Sequence, residues 1–560
     1  MNAAKPKEVI EIDASQLVAL RRRVEAGTLE PEDFATIDAV LESYAYVTQL
    51  IDQKSTTLDR LRKLLFGASS EKTADVLGRA PQVATDNQPA AAEPAQEVSG
   101  EFATQVESKQ RRPGHGRNGA ADYPGAVRIA VPHESLQPGD ACPACQRGTA
   151  YEVATPGVLI RMIGQPPLQA TIYELQKLRC HLCGQVFTAQ APAGVGPEKY
   201  DATVGSMIGL LKYGNGLPFN RVEGLQENLE VPLPASTQWE IVAEAAAKYR
   251  PAQEELIRQA AQGEVVYNDD TTVKILERMG ARAQQQAFHE AEREAKGGPR
   301  PARTGLFTSG VVATHAGRRI TLFFSGNQHA GENLLDVLRR RAADLPPPIQ
   351  MCDALSRNRP AEFQTIVANC LAHARRQFVD VIERFPDDCR YVLQAIEVIY
   401  HNDALARERK LTAQERLQFH QAESGPTMEC LREWLKRQFE ERLVEPHSAL
   451  GAAIQYLRKH WEKLTLFLRV PGAPLDNNIC ERALKKAILH RKNALFYKTQ
   501  NGADVGDLHM SLIHTCELCG ANPFDYLTQL QRHAEEVATT PDRWLPWNYR
   551  NNFTAASDAA

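Results

Sequence analysis

Three acidic residues stand where a carboxylate can be offered to a common point. Asp269, in VVYNDDT, and Asp353, in IQMCDAL, each end an apolar run. Glu481 opens the basic stretch LDNNICERALKKAILHRKNALFYK, from Leu475 to Lys498. That stretch carries Arg482, Lys485, Lys486, Arg491, Lys492 and Lys498 with almost no counter-charge. Acids that hold a divalent metal, beside cations that hold phosphates, are what cutting or joining a DNA backbone requires. Strand side chains alternate faces, so Asp269 and its neighbour Asp270 cannot both point into one site. Asp476, five positions before Glu481, reads as the helix cap.

A second constellation is sulfur-based. Cys142 and Cys145 form CPAC, and Cys180 and Cys183 form the pair in RCHLCG, with β-patterned sequence broken at Pro-Gly and Pro-Pro between them. Two such knuckles bring four thiolates to one tetrahedral centre, the arrangement of a structural zinc ribbon. A basic tract, KQRRPGHGRNG, precedes the unit and offers Arg111, Arg112 and Arg117 to a DNA backbone.

These groups need elements to position them. From 263 the periodicity reads strand, strand, strand, helix, strand, with acids at the ends of the first and fourth strands. That is the pattern of a ribonuclease-H-like fold, in which strands one and four lie side by side and a later helix brings the third acid. The expected fold class is therefore multidomain α+β. Residues 1–68 read as a helical segment, either a short coiled coil or an intramolecular hairpin. Residues 69–120 read as a disordered linker ending in the basic tract, and 121–198 as the zinc-binding unit. Residues 199–262 are three helical patterns, either a helix-turn-helix or an ordinary packing element. The catalytic domain spans 263–520, with a flexible insertion at about 277–304 and a helical one at about 385–465. A tail, 521–560, closes the chain. The CxxC of HMSLIHTCELCG, on an apolar helix, reads as core packing.

With these motifs in hand, the chain resembles a transposase of the insertion-sequence family numbered sixty-six, over nearly its whole length. The motifs that carry the likeness are RKLLFGASSEK, GHGRNG, the paired knuckles, NDDT, LAHARRQF at 371–378, LDNNICERALKKAILHRKNALF and the closing RWLPWNYR. The resemblance implies that Asp269, Asp353 and Glu481 form the acid-acid-glutamate centre, with Asp269 rather than Asp270 facing the metal. It implies two magnesium or manganese ions, which activate a water against a phosphodiester and then stabilise the leaving 3′ oxygen. Its substrates are the element's ends and a target DNA, with pairing of two ends requiring a homo-oligomer. Accessory proteins of the same element are further expected partners.

The bulk numbers set outer limits. A chain of 560 residues exceeds one core. Its 43% hydrophobic and 24% charged residues are ordinary for a globular protein, and a net charge of −4 confines any DNA contact to local patches. No run reaches about 18 apolar residues, and no secretory signal is evident, so a bacterial cytoplasmic, nucleoid-associated protein without membrane partners is expected. Two other readings fit the same acids or cysteines: a ribonuclease-H-like nuclease without strand transfer, and a non-catalytic zinc-bearing DNA-binding regulator.

Overall fold

The structure is a computed structural model. It describes residues 198–280 and 305–553 throughout, parts of 20–37 and 121–196, and residues 73 and 76. The N-terminal helical pattern beyond 37, the tract with Arg111, Arg112 and Arg117, the thiols of Cys145, Cys180 and Cys183, and the insertion at 281–304 lie outside the described residues. The chain divides into two compact units. One joins Met1–Gln82 to Leu371–Gly472, and the other joins Val83–Cys370 to Ala473–Ala560.

In the second unit a small antiparallel pair, β1 (Lys177–Arg179) and β2 (Val186–Thr188), flanks the second cysteine knuckle. Cys142 sits in a tight turn closed by its own N–H to the Gly148 carbonyl at 2.8 Å, with Ala141 bridging Thr149. Three helices follow: α1 (Ala202–Gly209), α2 (Phe219–Asn228) and α3 (Ala235–Ala261). Along α3, Val242, Ala245, Tyr249, Ala252, Leu256 and Ala260 recur every three or four residues and are buried. They share one apolar core with Val266, Val311, Val312, Ile320 and Leu322 of the sheet, so the helices of 199–262 do not have a core of their own.

The sheet has five strands in the order β5-β4-β3-β6-β7. These are β3 (Val265–Thr272), β4 (Phe307–His315), β5 (Arg318–Gly326), β6 (Ile349–Cys352) and β7 (Ile366–Asn369). β3, β4 and β5 run antiparallel, whereas β6 and β7 run parallel to β3. Ala316 and Gly317, both with positive φ (49° and 75°), form the two-residue turn between β4 and β5, whose twist matches the flanking strands. The helix α4 (Ala330–Leu338) crosses from β5 to β6, and its first turn is closed by a His329–Glu332 capping box. The order of elements anticipated from 263 onward is the order observed.

Unit one continues the chain after β7 as helices α5 (Leu371–Val379), α6 (Pro386–Glu408), α7 (Ala413–Glu423), α8 (Gly425–Glu440) and α9 (Ala449–Leu464). Its polar anchor is Asp403. Burial alone would raise that carboxyl, but His420 and Arg416 outweigh the burial and hold it down at about 2.

The chain then returns to the sheet through α10 (Asn478–Ala494) and α11 (Gln500–Cys519). α11 seals the β5 edge with a ladder of side chains one turn apart. Thr515, Ser511 and Asp507 accept the backbone N–H groups of Thr321, Phe323 and Ser325 at 3.1, 3.0 and 2.5 Å. The N–H groups of these three residues are thereby taken up and closed to pairing with another chain. Cys516 of this helix is buried in the core. Of the expected tail, residues 521–553 are described: α12 (Pro523–Arg532) and α13 (Ala534–Thr539) follow, and Trp544 and Tyr549 join the core. Among the described residues, no helix is long and apolar enough to cross a membrane.

Candidate active site

Asp269 and Asp353 meet through the parallel register. Val265 pairs with Ile349 and Tyr267 with Met351, an offset of 84 residues, and 353 − 269 is also 84. Carried two positions past the last pair, the register sets the two carboxylates side by side, Asp353 just past the end of β6 and Asp269 within β3, which runs on to Thr272 instead of ending at the acid as expected. Asp353 lies one residue beyond β6, where its Oδ1 accepts the Leu355 N–H at 3.0 Å and the Asn358 amide at 2.6 Å.

Glu481 arrives from across the sheet because a glycine lets it. Gly310 of β4 is paired with Asp269, and a Cβ there would stand 3.1 Å from Leu484 and 3.4 Å from the Cys480 sulfur. The missing side chain brings the first turn of α10 onto the strand directly beside Asp269. The Cys480 thiol donates to the Gly310 carbonyl at 3.3 Å. Burial, together with the Asp269 and Glu481 charges, pushes that thiol well above its ordinary value. The helix start is held by Asp476, whose carboxylate accepts the Asn478 N–H at 3.0 Å, and by Asn477, whose carbonyl accepts the Glu481 N–H at 3.1 Å.

The electrostatics register this convergence. Burial pushes the Asp269 carboxyl up to about 7; an N–H from Asp270 opposes the rise, and the charges of Asp353, Asp270 and Glu481 add to it. Three carboxylates offer the hard oxygen donors that a divalent cation takes, and such a cation would offset the repulsion their charges add to the cost of burial. A Cys370 sulfur, one residue past β7, lies within 4.8 Å of a Glu481 ligand atom and accepts the Asn477 N–H at 3.2 Å.

Asp270 points the other way. Its side chain is 2% exposed and is met by His329 Nδ1 at 2.9 Å and an Arg357 nitrogen at 3.4 Å. The alternation of the strand thus separates the pair: Asp269 faces the other acids, and Asp270 anchors the start of α4.

The basic residues of α10 fall into two groups. Arg482, Lys485 and Lys492 are exposed, at spacings of three and seven that keep them on one face. Lys486 instead bonds the Gly214 carbonyl at 3.3 Å and Glu517 at 2.9 Å. Arg491 reaches the hydroxyls of Thr271 and Thr272 at 3.1 and 2.8 Å and also the Thr272 carbonyl, fastening the helix to the end of β3. Of the four proposed zinc ligands, Cys142 alone is among the described residues. Sequence reasoning missed Asn268, Asn358, Asn477 and Cys370. For the three asparagines the signal lies only in their nearness to the acids, in NDD, SRN and LDNN; Cys370 in ANC has no such signal.

The chain is similar to the uncharacterized protein y4hP of Sinorhizobium fredii, with 26% identity over 516 residues covering 89% of each chain. It is also similar to the uncharacterized protein y4jD of the same organism, with 29% identity over 265 residues, 45% of this chain and 47% of the relative. The family model described as "Transposase IS66 family" matches residues 199–505, a span that holds all three acids and more than half of the sequence, and the chain therefore belongs to the IS66 transposase family.

Proposed function

We propose that this transposase cleaves DNA at the ends of its insertion sequence and joins the freed 3′ ends to a target, using Asp269, Asp353 and Glu481 on a ribonuclease-H-like sheet. The observation that carries the reading is the convergence of three carboxylates from separate segments, two by parallel register and the third by the close docking of α10 at Gly310. The strand order, with the two acid-bearing strands adjacent, supports the fold assignment.

Asp269, Asp353 and Glu481 would hold magnesium or manganese ions, two in this family's chemistry. When bound, such ions lower the pKa of an attacking water and offset the charge that builds on the transferring phosphate. The chain's own contribution is positional. The Asn358 amide and the Leu355 N–H fix Asp353, and the Asp270 N–H holds one oxygen of Asp269 at 2.8 Å. Arg482, Lys485 and Lys492 line one exposed face leading away from Glu481, where they contact phosphates flanking the scissile bond. Lys486 and Arg491 hold that helix on the body of the unit. Cys142, Cys145, Cys180 and Cys183 hold a structural zinc, and Arg111, Arg112 and Arg117 add backbone contacts beside it. Two protomers at least pair the two element ends, with accessory proteins of the element as further partners.

A pre-cut element end, incubated with supercoiled target and Mg2+, tests this reading. Covalent joining of the 3′ end to the target is expected. No joined product from protein that hydrolyses an uncut end in a parallel reaction would make the protein a nuclease and overturn the strand-transfer half of the proposal.

A further inference from the structure

The three acids are borne on segments that are far apart in sequence, yet one buried set of amides links those segments: it bonds the Asp353 carboxylate directly and reaches Asp269 and Glu481 through the backbone beside them. Asn268 immediately precedes Asp269, is fully buried, and donates from Nδ2 to the Asn358 carbonyl at 2.7 Å. Gln350 of β6 donates from Nε2 to the same carbonyl at 2.7 Å and to Asn268 Oδ1 at 2.8 Å. The Asn358 side chain in turn donates to Asp353 at 2.6 Å. On the other side, Asn477 donates from Nδ2 to the Asn268 carbonyl at 3.1 Å while its own carbonyl receives the Glu481 N–H. Thr365, on the segment entering β7, closes the chain of bonds at Gln350 Oε1 with 2.8 Å.

Asn268, Gln350, Asn358 and Asn477 are each 0% exposed. Two of them, Asn268 and Gln350, lie on adjacent strands, and Asn358 and Asn477 lie on the segments packed against them; burying each amide costs its desolvation. Each of the four NH2 groups donates at least once within the relay, which sets the orientation of each amide. The Asn358 and Asn477 side-chain oxygens are left buried with no partner. An orphaned buried acceptor costs about 1–3 kcal/mol. Retaining two of them beside three carboxylates is intelligible if the orientation of the donors matters more than the cost.

We propose that Asn268, Asn358 and Asn477 are positioning residues. Through one hydrogen-bonded relay they set the spacing of Asp269, Asp353 and Glu481 and thereby the affinity of the site for a divalent cation. This rests on reading those acids as metal ligands. The relay acts as the outer layer of a metal site does, by fixing ligands it does not replace.

Mn2+ binding to EDTA-stripped full-length protein, measured by the loss of the free-ion electron paramagnetic resonance signal, tests the relay without relying on turnover. Asn358→Leu and Asn477→Ala are expected to weaken Mn2+ binding about 10- to 100-fold while the circular dichroism of the protein stays that of wild type. Thr365→Val, isosteric and at the outer end of the relay, is expected to weaken it about threefold, and it carries the test should the buried substitutions fail to fold. Folded variants that bind Mn2+ within about 1.5-fold of wild type overturn the proposal. Asp353→Asn is the reference. If it abolishes binding while the relay variants do not, only the relay falls. If it too leaves binding unchanged, the reading of the acids as ligands falls and takes the relay with it.

Discussion

Replacing Asp269 by Asn should make the metal-free protein more stable at neutral and alkaline pH, the reverse of what a substitution at a buried position usually does. The ordinary value for an aspartate is 3.8, and burial plus neighbouring carboxylates raise Asp269 to about 7 in the folded chain. A carboxyl raised on folding contributes stability that is complete below the unfolded value and is lost as pH climbs through the folded one. At about 1.4 kcal/mol per tenfold change in proton affinity, the whole gap corresponds to about 4 kcal/mol, of which about 2–3 kcal/mol is crossed between pH 5 and pH 8. Asn keeps the volume and still accepts the Asp270 N–H, but it carries no charge to bury. Urea unfolding in EDTA at pH 5, 6, 7 and 8, with hydrogen exchange of the β3 amides to localise the effect, measures this directly. Wild type should lose stability across the series, the variant should lose much less, and added Mg2+ should narrow the difference by favouring the ionised carboxylate. A variant no more stable than wild type at pH 8, or a difference that does not change with pH, would refute the reasoning.

Three further outcomes follow from the packing. Gly310→Ala puts a Cβ 3.1 Å from Leu484; it should cost about 1–3 kcal/mol in urea unfolding and, by displacing α10, slow DNA cleavage about tenfold or more. Arg482→Ala, Lys485→Ala and Lys492→Ala should each reduce the slope of log affinity against log salt by about 1 for DNA binding, whereas Arg491→Ala, which loosens the helix from β3, should lower the melting temperature and leave the slope nearly unchanged. Leu495, at the end of α10, has φ 67° and ψ −42° and is 62% exposed, with the Phe496 N–H turned back to the Ala494 carbonyl at 2.8 Å. That is a strained three-residue turn, so Leu495→Gly should raise stability by about 1 kcal/mol, read as a rise in the urea midpoint.

The parts of this site that were legible in the sequence are those with a period or a charge. β3, β4, β5, α4 and β6 announced themselves through alternating and helical apolar spacing, and the acids stood at the ends of the first and fourth apolar runs, although β3 continues three residues past Asp269 to Thr272. Strand alternation also separated Asp269 from Asp270, although only the contacts of Asp270 with His329 and Arg357 show what its side chain does. What was illegible depends on register and packing. Nothing in one sequence tells that Gly310 pairs with Asp269 or that α10 presses upon it. The amide relay was equally hidden, because Asn in NDD, SRN and LDNN reads locally as turn or cap chemistry and becomes a network only when distant segments are brought together. The division of the α10 cations likewise needed the contacts: Lys486 and Arg491 have the same charge as Arg482 and Lys485 but are spent on Glu517 and on Thr271 and Thr272.

The most direct measurement is single-turnover cleavage of a labelled element end in Mg2+, with Asp269→Asn, Asp353→Asn and Glu481→Gln compared with wild type. Removing any one ligand should forfeit several kcal/mol of charge stabilisation, a loss of about a thousandfold in rate, while binding of the same DNA in Ca2+ stays within a few-fold of wild type. Cleavage at the wild-type rate by any one of the three variants would contradict the account.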